Sequence, residues 1–168
     1  MASNHVAESR NSELQSPRRK VYVAGLFDTS SYESWTPSEI LEVAVDLIND
    51  HEDGWFDDVL DDGTELVLSF ANSGCDPEMS LPAYWDLRTK WNEEETEEAD
   101  LSRSTPRVHG VVGCRCSDAT AIVARVAGLE SIPMVSPVSS AADLSNPVKY
   151  PSFFRLVGPD DERGQVGA

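Results

Sequence analysis

A continuous apolar run, Val21-Tyr22-Val23-Ala24-Gly25-Leu26-Phe27, constrains this chain more than any other segment. A strand with one wet face alternates apolar and polar residues, because successive side chains point to opposite sides. A run without a polar member is buried on both faces, as in a parallel sheet covered by helices. The next segment supplies a helix. Thr36-Pro37-Ser38-Glu39 is a start signal, with Thr36 as cap, Pro37 at the first helical position and Glu39 closing a capping box. Ile40, Leu41, Ala44, Leu47 and Ile48 then recur on one helical face to about Asn49.

The alternation repeats. Asp61-Asp62-Gly63 reads as a turn and Glu65–Phe70 as a strand. A helix from about Pro77 to Trp91 carries Leu81, Tyr84, Trp85 and Arg88 on one side, and tolerates Pro82 only within its first turn. Val108–Gly113 reads as a third strand. Ala119, Ile122, Val123, Val126 and Ala127 mark a third helix, ending near Gly128. Ile132–Ser136 and Ser152–Val157 complete five strands, and Pro159 onward can start a helix. The expected fold class is α/β, a parallel sheet flanked by helices. Residues 1–19 read as a disordered lead-in, 20–168 as one domain, and about 92–106 as an exposed acidic insertion.

Charge narrows the function. The formal net charge is -17, and sixteen of those excess negatives lie between Asp46 and Asp100. Phosphate binding needs a basic face, so nucleic acid is excluded as a partner; anionic lipid is disfavoured for the same reason. The acidic run reads as a solvated face. Its segment Asp57–Gly63 fails the EF-hand pattern, since Gly63 as sixth loop residue puts Leu60 third and Ser69 twelfth. No apolar run approaches the ~18 residues of a membrane span, and Met1–Lys20 has no apolar core of a secretory signal. Nucleophile elbow, phosphate loop and dinucleotide fingerprint are all missing. His5, His51 and His109 are scattered, and Cys114-Arg115-Cys116 lacks redox spacing. The chain reads as no enzyme, with no cofactor and no metal.

The segment Val111-Val112-Gly113-Cys114-Arg115-Cys116-Ser117-Asp118 carries more. A buried strand ends there in a short turn that opens directly into a helix. Unpaired N–H groups at a helix start attract an anion, and Ser117 adds a hydroxyl. Ligands of open α/β sheets settle at the carboxyl ends of strands. The next strand also ends in hydroxyls, Ser136, Ser139 and Ser140. On local sequence alone, Ser117 as a plain helix cap is the competing reading.

Gly113-Cys114-Arg115-Cys116-Ser117, Ile132-Pro133-Met134-Val135-Ser136, Ser139-Ser140, Asp143-Leu144-Ser145-Asn146 and Tyr150-Pro151-Ser152-Phe153-Phe154-Arg155 together resemble the ligand-binding region of class C G-protein-coupled receptors. The closest likeness is to type B GABA receptors. Val21–Phe27, Ala44–Asn49 and Ser73-Gly74-Cys75-Asp76-Pro77 agree in order, so the likeness covers roughly 19–168. It implies the first lobe, incomplete, of a Venus-flytrap module with the type I periplasmic-binding-protein fold. In that family the first lobe holds the carboxylate of an amino-acid-like ligand through hydroxyls and backbone N–H groups.

Counted back from Leu144-Ser145-Asn146 without gaps, Ser117 and Ser140 fall on the two ligand hydroxyl positions. Ser139 neighbours the second and offers backbone contacts. Trp35 matches a ligand-packing tryptophan, or simply packs its loop. The resemblance also implies a disulfide between Cys75 and Cys116, with Cys114 left over as a competitor for Cys75.

The second lobe and seven-helix membrane domain of that family are not within these 168 residues. A fragment of a longer receptor, exposed outside the cell and with a receptor dimer partner, is the first expectation. A receptor guanylate-cyclase-type ectodomain, a soluble amino-acid-binding transport protein, an unrecognised α/β enzyme and a nonsignalling acidic interaction domain are the alternatives.

Overall fold

A computed structural model describes residues 18–28, 37–93 and 108–163. Strands β1 (Arg19–Phe27), β2 (Thr64–Asn72), β3 (Val108–Gly113), β4 (Met134–Ser136) and β5 (Phe153–Arg155) form one sheet. Their order is β2-β1-β3-β4-β5 and every neighbouring pair is parallel. Helices α1 (Pro37–Asn49), α2 (Pro77–Glu93), α3 (Ser117–Leu129) and the single turn α4 (Asp160–Arg163) lie between or after them, and a 3-10 turn, Ala142–Ser145, joins β4 to β5. The α/β parallel architecture read from the sequence is the one observed.

The apolar run occupies the place its composition demands. β1 is flanked by β2 on one side and β3 on the other, and Ala24 and Leu26 are fully buried. From β1 the chain steps outward to β2, then crosses back to β3 on the opposite side. Such a reversal opens a crevice at the carboxyl ends of the two strands that diverge, here β1 and β3. Pairing of β1 with β3 slips at Tyr22 and Val23, leaving His109 unmatched. The His109 ring fills the gap: its Nδ1 accepts the Tyr22 N–H at 3.0 Å, and its ring stacks on Tyr22. This histidine is structural.

Helices α2 and α3 pack against one another and bury the principal core. Trp91 of α2, 1% exposed, lies against Tyr22 with ring centroids 5.1 Å apart. The buried stripe of α2 is Ser80, Ala83, Tyr84, Leu87 and Trp91, rotated from the expected one. Trp85 and Arg88 leave that stripe for a polar reason. Arg88 ion-pairs with Glu130 beyond α3 at 2.6 Å and lies over the Trp85 ring, while the Tyr84 hydroxyl donates to Glu130. Burial, reinforced by the Glu130 charge, pushes the Tyr84 phenol above its ordinary range. Pro82 is the sixth residue of α2, beyond the first turn expected for it. It has no N–H for the carbonyl of Glu78, which lies at an exposed position.

Helix α1 is less covered than its apolar stripe suggests. Leu41, Ala44, Leu47 and Ile48 are half-buried and Ile40 is exposed, because α1 rests mainly on the edge strand β2. The link to that strand is polar: Asn49 donates to the Leu66 carbonyl and accepts the Leu66 N–H. Gly128 sits inside α3, facing Pro151, where a Cβ would come within 3.1 Å. Its role is packing, and the helix closes later, at Glu130.

A disulfide joins Cys75, just beyond β2, to Cys116, just before α3, with Cα atoms 5.1 Å apart. Cys114, two residues earlier, is a buried free thiol. Burial pushes that thiol up to about 12, against a smaller opposing pull from the Ser73 hydroxyl.

Two outcomes follow from this packing. Trp91→Ala should lower unfolding stability by about 3–5 kcal/mol through lost burial and a residual cavity; urea titration measures it, and a change below about 1 kcal/mol would contradict the core placement. At pH 8 the native protein should give a Cys75–Cys116 crosslinked peptide and an unalkylated Cys114 that reacts with iodoacetamide only after denaturation. The raised thiol pKa makes its contribution to stability complete below pH 9.0, the ordinary value, and progressively lost as pH climbs toward about 12. Rapid native alkylation, or a Cys75–Cys114 link, would overturn this arrangement.

Candidate functional site

The candidate site begins where β3 leaves the sheet. Gly113 has φ +113, and a Cβ there would lie 2.0 Å from the Leu26 carbonyl oxygen. Only glycine lets the strand end this close to β1 and turn immediately into α3. The first helical hydrogen bond of α3 runs from Thr120 N to Cys116 O at 2.9 Å. The N–H groups of Ser117, Asp118 and Ala119 therefore precede the helical ladder and have no partner within it.

Ser117 does not cap its own helix. Cys116 occupies the cap position and α3 has no side-chain cap hydrogen bond. The Ser117 hydroxyl oxygen instead reaches the loop after β4 and accepts the Ala141 N–H at 3.2 Å. A hydroxyl has one donor and two acceptor sites. Among the described residues, no acceptor takes the Ser117 proton, and the residue is half-buried, so this proton is available to a ligand oxygen. Ser140, adjacent to Ala141, is also half-buried and its side chain has no hydrogen-bond partner among the described residues. Its carbonyl is held from the far side by the Asp160 N–H at 2.9 Å.

Ser139 has a different task. It is 1% exposed; its N–H donates to Ser136 Oγ at 3.1 Å, and its hydroxyl lies 3.1 Å from both the Cys114 and Arg115 carbonyls. The Thr120 hydroxyl lies 2.6 Å from that of Ser139 and 3.1 Å from Cys114 O, and Ser136 Oγ donates to the same carbonyl at 2.7 Å. The N–H and the hydroxyl of Ser139 are thus both engaged within the protein. It is the floor beneath the site.

The structure thus brings Ser117 and Ser140 to two neighbouring loops at the carboxyl ends of β3 and β4. Trp35 lies outside the described residues, as does the acidic stretch from residue 94 to 107. Sequence reasoning missed three contributors. Thr120, third after Ser117, is a polar residue on the buried face of an apolar helix, and that misplaced polarity was its signal. Arg155 interrupts the apolar run Phe153–Val157, and its guanidinium donates to the Ala141 carbonyl. Ala141 contributes only its peptide, which no side-chain pattern reveals.

Residues 41–167, about three quarters of the chain, match the family model described as "Receptor family ligand binding region". Over 101 residues, 58% of this chain and 11% of the relative, it is 32% identical to the human "G-protein coupled receptor family C group 6 member A". Over 66 residues, 38% of this chain and 8% of the relative, it is 42% identical to "Metabotropic glutamate receptor 6" of Rattus norvegicus. The bovine group 6 member A is 39% identical over 61 residues, 36% of this chain and 7% of the relative. The chain spans roughly a tenth of the length of these curated relatives. The chain belongs to the family of receptor ligand-binding regions.

Proposed function

We propose that this lobe receives the carboxylate of an amino-acid-like small molecule as part of a class C G-protein-coupled receptor on the outer side of a membrane. One observation carries the reading: Ser117 Oγ accepts the Ala141 N–H and so retains its own proton beside Ser140. A carboxylate has acceptor sites only, so it needs convergent donors. The two hydroxyls and the unladdered N–H groups at the start of α3 are such donors, and charge-assisted hydrogen bonds of this kind are the stronger class.

Convergent hydroxyl and peptide donors of this kind suit the holding of an acceptor group. The residues that carry the resemblance support a finer placement near type B GABA receptors, and group 6 member A and metabotropic glutamate receptors are among the relatives that the chain is similar to. Both placements support an amino-acid-like ligand. The ammonium end of that ligand then contacts a second lobe, membrane segments transmit closure to a G protein, and a receptor partner completes a dimer. No helix among the described residues is long and apolar enough to cross a membrane, so the membrane part is assigned to other segments of the receptor.

In a receptor containing both lobes, Ser117→Ala and Ser140→Ala should each weaken binding of the activating amino acid by about 1–3 kcal/mol, because a carboxylate oxygen loses its donor. Radioligand displacement with a panel of amino acids and γ-aminobutyrate reads this directly. Unchanged affinity in both variants would remove the site. Ser139→Ala should act differently, lowering stability along with affinity, because its hydroxyl is spent on the Cys114 and Arg115 carbonyls.

A further inference from the structure

We propose that Arg155 is a positioning residue for the ligand loops, acting through the backbone at Ala141; the inference rests on the carboxylate-binding reading above. Ala141 joins the two contacts through the peptide groups on either side of its Cα. Its N–H is held by Ser117 Oγ at 3.2 Å and its carbonyl by Arg155 Nη1 at 3.0 Å. The second nitrogen of the same fork, Nη2, donates to the Ser145 hydroxyl at the end of the 3-10 turn. One planar guanidinium therefore grips the loop at two points four residues apart, a geometry lysine cannot reproduce.

The grip matters because the loop is otherwise lightly held there. Ser140 and Ala141 are only half-buried and belong to no strand or helix. The Ala141 N–H lies in the rigid peptide plane that carries the Ser140 carbonyl, held by the Asp160 N–H, and the Ala141 carbonyl lies in the next plane; pinning both planes leaves little rotation about the Cα that joins them. By restricting rotation at Ala141, Arg155 acts with the Asp160 N–H to keep the Ala141 N–H on Ser117 Oγ, so that the Ser117 oxygen stays occupied as an acceptor and its proton is left for the ligand. It also sets the position of the adjoining Ser140. Other contacts from the same segment reinforce the hold: Leu156 N donates to Ser136 O at 3.1 Å and Asp160 N to Ser140 O at 2.9 Å. The second ligand loop is thus registered against the β5 edge of the sheet, and the Arg155 side chain carries that registration to Ser117.

Amide exchange by nuclear magnetic resonance on the labelled chain, compared with probe binding, tests this. In Arg155→Gln the Ala141 amide should exchange at least tenfold faster, while β1 and β3 amides keep their native rates. Arg155→Lys should fall between the two, and Ser145→Ala, which removes one tine only, should change Ala141 exchange less than threefold. An unchanged Ala141 rate in both Arg155 variants would overturn the proposal, as would a uniform acceleration across the sheet. If Arg155→Gln does not fold, Arg155→Lys decides by the same criterion.

Binding of γ-aminobutyrate and L-glutamate as probes to a two-lobe receptor should weaken about tenfold in Arg155→Gln and recover partly in Arg155→Lys. Accelerated Ala141 exchange with unaltered probe affinity would overturn the role in binding. Absence of binding by the unmodified receptor would instead remove the carboxylate reading, leaving the exchange result to decide the positioning.

Discussion

The carbonyl oxygen of Cys114 is the point on which the binding edge depends. Hydroxyls from Ser136 on β4, Ser139 in the following loop and Thr120 on α3 converge on it at 2.7 to 3.1 Å. Each of these residues is buried, and a buried hydroxyl without a partner is costly, so the cheapest arrangement is the one that satisfies them together. Because the three hydroxyls come from different elements, satisfying them fixes the end of β3, the first turn of α3 and the exit of β4 relative to one another. Gly113 makes the convergence possible by letting the strand run against Leu26 without a Cβ in the way. The Cys75–Cys116 bond holds the same turn from the opposite flank. The flexible-looking hydroxyl loops therefore stand on a rigid base.

That base explains a division of labour among three serines that look interchangeable in sequence. Ser136 and Ser139 are buried and committed to backbone groups, whereas Ser140, one residue on, is half-buried with its side chain uncommitted. Adjacent residues in an extended loop point to different sides. Ser139 turns inward to the Cys114 carbonyl, while Ser140 keeps its hydroxyl out of that network. The floor decides which serine is committed to backbone groups.

Much of the architecture was legible because it follows from burial patterns. An unbroken apolar run specified an inner strand, and helical periodicity located α1, α2 and α3. What failed were details governed by polar partners distant in sequence. Arg88 draws Trp85 and itself out of the expected α2 stripe because Glu130, beyond the next helix, is its counter-ion. Ile40 belongs to a clear apolar face but stays exposed, since an edge strand has too little surface to cover α1. Ser117 stood out as a candidate through its place at a strand–helix turn. Its actual partner, the Ala141 N–H, is a backbone group 24 residues away that no side-chain pattern encodes. The resemblance supplied the expected pairing of Ser117 with Ser140 and included Arg155 without giving it a role, while Thr120 was visible only as a polar residue in apolar company.

The net charge of -17 poses a last question, because a strongly negative protein repels the carboxylate assigned to its ligand. Parallel strands answer it by separating their ends. The acidic loop from Asp50 to Asp62 enters β2 at its amino end, and the hydroxyl loops leave β3 and β4 at the carboxyl edge. The nine residues of β2 span about 30 Å, several times the ~8 Å screening length at physiological salt. Asp76 and Glu78 are the acidic residues of this stretch that lie near the carboxyl edge. The Asp76 carboxylate is occupied in capping α2, where it accepts the Glu78 N–H at 2.8 Å. The distant acidic loop is thus screened from these loops, and Asp118 in the first turn of α3 and Asp160 beside Ser140 are the acidic residues that the proposed carboxylate would meet, against short, directional donors. A site built from hydroxyls and peptide N–H groups is the solution open to an acidic lobe, provided its floor holds those donors still.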